Sequence, residues 1–329
     1  MLPPILESGY GEVRMVSFNP FRRNRTRQVE LLALTGHLGS TRSPLGDALW
    51  RMRRNATAMT ALAILLLIVL ICVVGPFVSR WDLNATDALS VNRPPSMKHW
   101  LGTDFLGRDI MARLMSAGRI SLTVGLASVF LSVVIGYIAG AVAGYLGGLI
   151  DAVIMRGADL VMTIPTLPLL IIIGAVLSEL KVPPDQRIYL VILMLSLPNW
   201  VTVARLVRSQ ILSLRERDFM IATEVLGLPL HRRLFHHLLP NTVPILIVAA
   251  TIGVASAILN EAYLSYLGLG VVPPTPSWGN MMDTANSFVD FQRRPWLWMP
   301  PGVAIFLTVV AINIVGDGLR DALDPKMKR

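Results

Sequence analysis

From Thr57 to Val78 the chain runs for 22 residues without a charged side chain. Wound as a helix at about 1.5 Å per residue, that stretch reaches roughly 33 Å, enough to cross a ~30 Å hydrocarbon layer. A helix of a soluble core would keep a polar stripe, and this one has none. Five more charge-free windows follow: Ile120–Gly147, Leu160–Ser178, Ile188–Ala204, Asn241–Asn260 and Pro295–Gly316. The shortest, Ile188–Ala204, is extended by Arg205 and Arg208, which can snorkel to the headgroups. The expected fold is all-α, a polytopic membrane protein with six transmembrane helices. A membrane barrel would instead show ~10-residue strands of alternating polarity.

Only 16% of the residues are charged and 53% are hydrophobic. Soluble domains carry about 25% charge, so disorder and an ordinary soluble enzyme are both excluded. The net charge of +9 would suggest nucleic acid in a soluble chain. Here it reads as basic loops held on one side of a membrane, with lipid and not nucleic acid as the partner. Six spans put both termini on one side, and that side collects twenty of the 30 Lys and Arg residues. The bias predicts a multi-pass protein of the plasma (inner) membrane with cytoplasmic N- and C-termini. Residues 80–119 run against it, with six basic residues on the assigned outside. The first span is too long and starts too late for a signal peptide, so it is expected to stay as an uncleaved anchor. The single cysteine, Cys72, allows no intrachain disulfide and no thiolate cluster.

The chain divides into a cytoplasmic extension over 1–42, an interfacial helix over 43–56, a transmembrane domain over 57–325 and a cytoplasmic tail over 326–329. Leu45, Leu49 and Met52 recur at helical spacing, with the arginines off that face. A plain basic flank is the equal alternative. The external segment, 80–118, contains Leu101-Gly102-Thr103-Asp104-Phe105-Leu106-Gly107-Arg108-Asp109. Thr103 or Asp104 can cap a following helix that presents Phe105, Ile110, Met111 and Leu114. The plain reading is a surface turn leading into a capped helix.

The loop over 215–241 says most. Phe219, Ala222, Thr223 and Leu226 fall at i, i+3, i+4 and i+7, giving a short helix one small apolar face. Gly227 can take the left-handed turn that ends it, Pro229 suits the start of a second helix, and Pro240 is expected to stop that helix. This helix–turn–helix either lies on the membrane or buries its face against a partner. Glu261, at the membrane boundary, is a functional candidate by default. The favoured reading is a hydrogen bond tying the segment after it to a neighbouring helix. Asp151 and Asp159 flank Arg156 and are expected to form a local ion-pair cluster. Gly136, Gly140, Gly144, Gly147 and Gly148 permit close helix packing.

Several devices are missing. GxxxxGK[ST], HExxH and GxSxG do not occur, and the spacing of His231, His236 and His237 does not favour metal binding. The spans hold no chain of ionisable residues for proton coupling. Catalytic, cofactor-binding and metal-binding residues are therefore expected to be none, and no energy source is visible within this chain.

Ala222-Thr-Glu-Val-Leu-Gly227…Leu239-Pro240 resembles the EAA loop of the permease subunits of ATP-binding-cassette (ABC) importers, keeping the spacing from Gly to Leu-Pro. Ile221 stands where that pattern has Glu, and Thr223 where it has a second Ala. Leu101-Gly-Thr-Asp-x-x-Gly-Arg-Asp109 and Glu261-Ala-x-Leu-Ser-x-Leu-Gly-Leu-Gly270…Pro-Pro-Thr-Pro-Ser-Trp-Gly-Asn280 are similar to the dipeptide/oligopeptide/nickel branch, and within it to the C-type permease. The likeness runs from about Ser43 to Pro325. It implies a type I importer fold and a subunit that transports di- or oligopeptides without catalysis of its own. The implied partners are a homologous second permease, two cytoplasmic ATPases that bind ATP and Mg, and an extracytoplasmic peptide-binding protein. Phe219, Ala222, Thr223, Leu226, Gly227, Leu239 and Pro240 would couple to an ATPase. Gly102, Thr103, Asp104, Gly107, Arg108, Asp109 and Glu261 belong to family motifs without an assigned role. Nickel complexes, glutathione or oligosaccharides are alternative cargoes for the same machine. A self-contained secondary carrier is the alternative from another class.

Overall fold

The computed structural model describes residues 44–323, so the expected extension over 1–42 and tail over 326–329 lie outside the described residues. Regular structure among the described residues is helical, apart from one isolated bridge between Thr103 and Asp109. The helices are α1 (Pro44–Arg54), α2 (Ala56–Val78), α3 (Ile110–Leu146), α4 (Gly148–Thr163), α5 (Thr166–Glu179), α6 (Pro184–Leu214), α7 (Asp218–Val225), α8 (Leu230–Tyr266), α9 (Trp278–Met281), α10 (Phe288–Arg293) and α11 (Pro295–Leu323). Five of them, α2, α3, α6, α8 and α11, are long and apolar enough to cross a membrane. The sixth expected span is α4 and α5 together, bent by 83°. The bend has a local cause. Ile164 precedes Pro165, whose ring disfavours helical geometry before it, and Ile164 is extended (φ −91°, ψ 123°).

α2 starts where the Asn55 side chain accepts the Ala58 N–H at 3.1 Å. α3 starts ten residues before its charge-free window, capped by Asp109, whose carboxylate accepts the Ala112 N–H at 2.8 Å. The cap is thus neither Thr103 nor Asp104, and Phe105 stays in the loop. Arg113 and Arg119 fit inside the helix because they reach partners: Asp104 at 3.8 Å and the Val73 carbonyl at 2.7 Å.

α3 and α6 form the tightest helix pair. A Cβ on Gly140 would sit 2.3 Å from the Ala204 carbonyl oxygen, so only glycine allows this approach. Gly136 and Gly144 continue the seam against Val203 and Ile211. Gly147 and Gly148 do not join it; both have positive φ and make the turn into α4. Around Trp278, side chains from α2, α3, α8 and α11 close a core that includes Cys72, Ala117, Ile258 and Ile312. A second core, with Tyr137, Val207, Ile211, Met220, Leu234 and Leu238, lies where α7 meets the end of the bundle. α1 packs Met52 against Ala61, Ala311, Val315 and Ala322, so it rests on α2 and α11.

Pro240 does not stop a helix. The chain runs on from Leu230 to Tyr266 because Arg233–Leu238 is wound as a π turn. There the Leu239 N–H reaches back to the Leu234 carbonyl, and the wider winding takes up a proline that has no N–H to give.

Candidate functional site

α7 is eight residues long and two-sided. Met220 and Thr223 turn inward, 2% and 5% exposed. Met220 packs among Tyr137, Ile211 and Leu238, and the Thr223 hydroxyl donates to the Met220 carbonyl at 2.7 Å. Phe219, Ile221, Ala222, Val225 and Leu226 turn outward, with Val225 82% and Leu226 75% exposed. The face expected from Phe219, Ala222, Thr223 and Leu226 therefore splits. Thr223 belongs to the anchored side because the helix seats on Met220, one turn before it. An exposed apolar face of this kind, on a short helix between two spans, marks a surface made for contact.

The wedge ends in a defined turn. Gly227 has φ +66° and accepts the left-handed position at no steric cost. The Leu228 N–H reaches the Thr223 carbonyl at 3.1 Å, and the Gly227 N–H reaches Glu224 at 2.9 Å, the two bonds of a Schellman cap. Arg233 then ties the turn to the bundle. Its guanidinium donates to the Leu228 carbonyl at 2.7 Å, to the Tyr145 hydroxyl at 2.6 Å and to the Glu224 carboxylate at 3.2 Å. The Tyr137 hydroxyl donates to the Leu234 carbonyl inside the π turn at 2.7 Å. Leu239 packs beside this core, and Pro240 is the second residue after the π turn. Sequence reasoning gave no role to Arg233, Tyr137, Tyr145 or Met220. Their spacing in the chain carries no sign that they meet.

The residues over 102–109 make a loop closed upon itself. Asp104 accepts the N–H groups of Leu106 and Arg108, both at 2.9 Å, and the Arg108 guanidinium at 2.7 Å. Asp109 accepts from the His99 ring at 2.9 Å while capping α3. Thr103 accepts the Arg93 N–H at 2.9 Å and donates to the Ser90 carbonyl. Gly102 and Gly107 both have positive φ, and Gly107 lies against the Asp87 backbone. Outside the loop, Asp87 pairs with Lys98 at 2.6 Å. That hydrogen bond, with others from Ser90 and the Leu89 N–H, holds the Asp87 carboxyl down at about 2. Charged groups here satisfy one another, which is the signature of a structural staple.

Glu261 is fully buried and ties segments together. Its carboxylate accepts from Ser121 at 2.8 Å and Ser265 at 2.7 Å. Ser265 in turn accepts the Val271 N–H at 2.9 Å, and Ser121 the Trp278 N–H at 3.2 Å. The chain after α8 is folded back onto α3 by this relay. Asp151 and Asp159 do not pair with Arg156; they reach across to α6. Asp151 holds Arg208 through two bonds at 2.5 Å, and Asp159 holds Arg205 at 2.7 Å. Arg205 and Arg208 are thus engaged by α4, and not left to snorkel. Among the described residues, no group of three or more His, Cys, Asp or Glu side chains is placed to hold a metal ion.

Comparison with known proteins agrees with this architecture. The family described as binding-protein-dependent transport system inner membrane component matches residues 132–329. The N-terminal TM domain of oligopeptide transport permease C matches residues 43–95. A Brucella suis protein carrying a peptide permease name is 41% identical over 86% of this chain and 91% of its own length. The oligopeptide transport system permease protein OppC of Bacillus subtilis is 39% identical over 86% of this chain and 90% of its own. The glutathione transport system permease protein GsiD of Shigella dysenteriae is 38% identical over 87% and 92%. With its helical bundle, its apolar spans and its exposed apolar wedge, the chain belongs to the binding-protein-dependent transport inner-membrane components, the non-catalytic permease subunits of ABC importers.

Proposed function

We propose that this subunit carries di- or oligopeptides across the inner membrane, with both termini cytoplasmic, as one of two homologous permeases. An extracytoplasmic binding protein delivers the peptide, and two cytoplasmic ATPases, which bind ATP and Mg, supply the energy. The observation that carries the reading is α7: an apolar face turned outward on a helix whose other face is fixed to the bundle. An ATPase groove that buries Phe219, Ala222, Val225 and Leu226 could push or pull the subunit between inward-open and outward-open arrangements. Arg233 matters to this reading because it leaves the turn no slack against α3. Leu239 and Pro240 contribute by setting the course of α8 away from the wedge. Peptide-permease names among the relatives support a peptide cargo, and the glutathione permease among them makes that tripeptide the natural competitor.

The test is reconstitution in liposomes with the sister permease, both ATPases and the binding protein. ATP-dependent uptake of labelled peptide is expected, with glutathione as the competing cargo. Gly227→Asp forces a side chain into a left-handed residue at a cost of about 1–2 kcal/mol and redirects the wedge. It is expected to insert normally and to lose uptake. Normal uptake by Gly227→Asp at normal membrane abundance would overturn the coupling role.

A further inference from the structure

The half-helices α4 and α5 are the least covered part of the membrane region. Ala158 is the buried residue of α4, and Leu170 and Gly174 are those of α5. Thr163 through Pro168 are all exposed. Taken as the one span that the charge-free window Leu160–Ser178 predicts, the pair α4–α5 places its break inside the hydrocarbon layer, because the 14 residues of α5 rise only about 21 Å of the ~30 Å to be crossed. A break ends one helix and begins another, leaving backbone carbonyls at the end of α4 and N–H groups at the start of α5 without helical partners. The Thr163 hydroxyl satisfies one of these by donating to the Leu160 carbonyl at 2.6 Å. Lipid tails can satisfy none, and non-helical backbone at this depth is tolerated only inside protein or against water.

Charge on the same side of α4 narrows the choice. Asp159 lies one turn before Thr163 and therefore on the same face. Its ion pair with Arg205 is open, with side chains 50% and 44% exposed. With Asp151, Arg156 and Arg208, the pair lines a cavity of about 420 Å³. An open ion pair against hydrocarbon is costly. Sealing it into the dry centre of a protein interface is also costly, and such centres are depleted of charge. Water meets both demands.

We propose that the Thr163–Thr166 break and the Asp159–Arg205 pair face the aqueous passage through which cargo moves, and form this subunit's polar lining of it. The inference rests on the transport reading for the passage itself and adds which residues border it. The lining offers threonine hydroxyls, free carbonyls and one carboxylate–guanidinium pair. These groups suit a hydrated, zwitterionic cargo passing by exchange of hydrogen bonds.

The single native cysteine makes a direct test practical. In a Cys72→Ala background, Thr163→Cys and Thr166→Cys are made in the full complex with sister permease and ATPases, in nanodiscs. Each is reacted with a charged, membrane-impermeant methanethiosulfonate, without nucleotide and with ATP plus vanadate. Leu67→Cys, on the lipid-exposed side of α2, and Met97→Cys, in the outer segment, are the references. The two break positions are expected to react on the order of tenfold or more faster than Leu67→Cys in at least one nucleotide state, because the reactive thiolate needs water. Rates no faster than Leu67→Cys in both states would overturn the proposal. Uptake is measured in parallel on the same complexes in liposomes, so fast labelling without ATP-driven peptide uptake would sink the transport reading and leave the water-facing break standing.

Discussion

The two loops that carry family motifs sit at opposite ends of α3 and solve opposite problems. The loop over 102–109 turns its charges inward, where Asp104, Arg108, Asp109 and His99 pair with one another. The α7 wedge turns its apolar residues outward and keeps only Met220 and Thr223 for the bundle. The first loop spends its charges on itself, and the second leaves an apolar face uncovered. A motif in a sequence can therefore mean self-sufficiency or dependence. The sign is which kind of side chain is left facing out.

Mutations should separate the two ends. The largest effect on stability is expected at Asp104→Ala, which strands the buried Arg108 and Arg113. Breaking a buried pair this way costs about 3–5 kcal/mol. Melting temperature and membrane abundance should fall, while ATPase stimulation per folded complex stays normal. Leu226→Asp should do the reverse. As a change at an exposed site it shifts stability within about 0.5 kcal/mol. Peptide uptake and co-purification of the ATPases should nevertheless be lost. An uncoupled Asp104→Ala protein of normal stability, or a fully active Leu226→Asp, would erase the contrast. Arg233→Ala should fall between them, keeping the fold but lowering uptake per ATP hydrolysed, since the wedge loses its tie to Tyr145 and Leu228. The smallest effect is at the Asp87–Lys98 pair. The folded pKa of Asp87 is depressed to about 2 from an ordinary 3.8. Its contribution is therefore present above pH 4 and is lost as pH falls from about 4 to about 2. Lys98→Met should flatten that part of a stability–pH curve by slightly lowering the plateau above pH 4, leaving stability below about pH 2 unchanged.

Much of this was legible in the chain. Charge-free windows found the spans, and small and turn-forming residues found the wedge and Gly227. The misses share a physical cause. Pattern reading treats each element alone, whereas Thr223, Arg113 and the Asp151 and Asp159 carboxylates are placed by partners far away in sequence. Periodicity put Thr223 with Phe219, but packing under Met220 turned it inward. Charge alone would end α3 near Ile120, yet Asp104 and the Val73 carbonyl let its arginines stay. Pro165 and Pro240 are the instructive pair. The same residue type breaks one helix and is absorbed in another, because a π turn precedes Pro240 and none precedes Pro165.

The length of α3 has a mechanical consequence. Its 37 residues measure about 55 Å from the Asp109 cap to the last turn beside Tyr145. One end is stapled into the 102–109 loop, and the other is gripped by Arg233 next to the wedge. A stiff rod held at both extremities has no place to dissipate a shove. A displacement imposed at one end is therefore carried to the other.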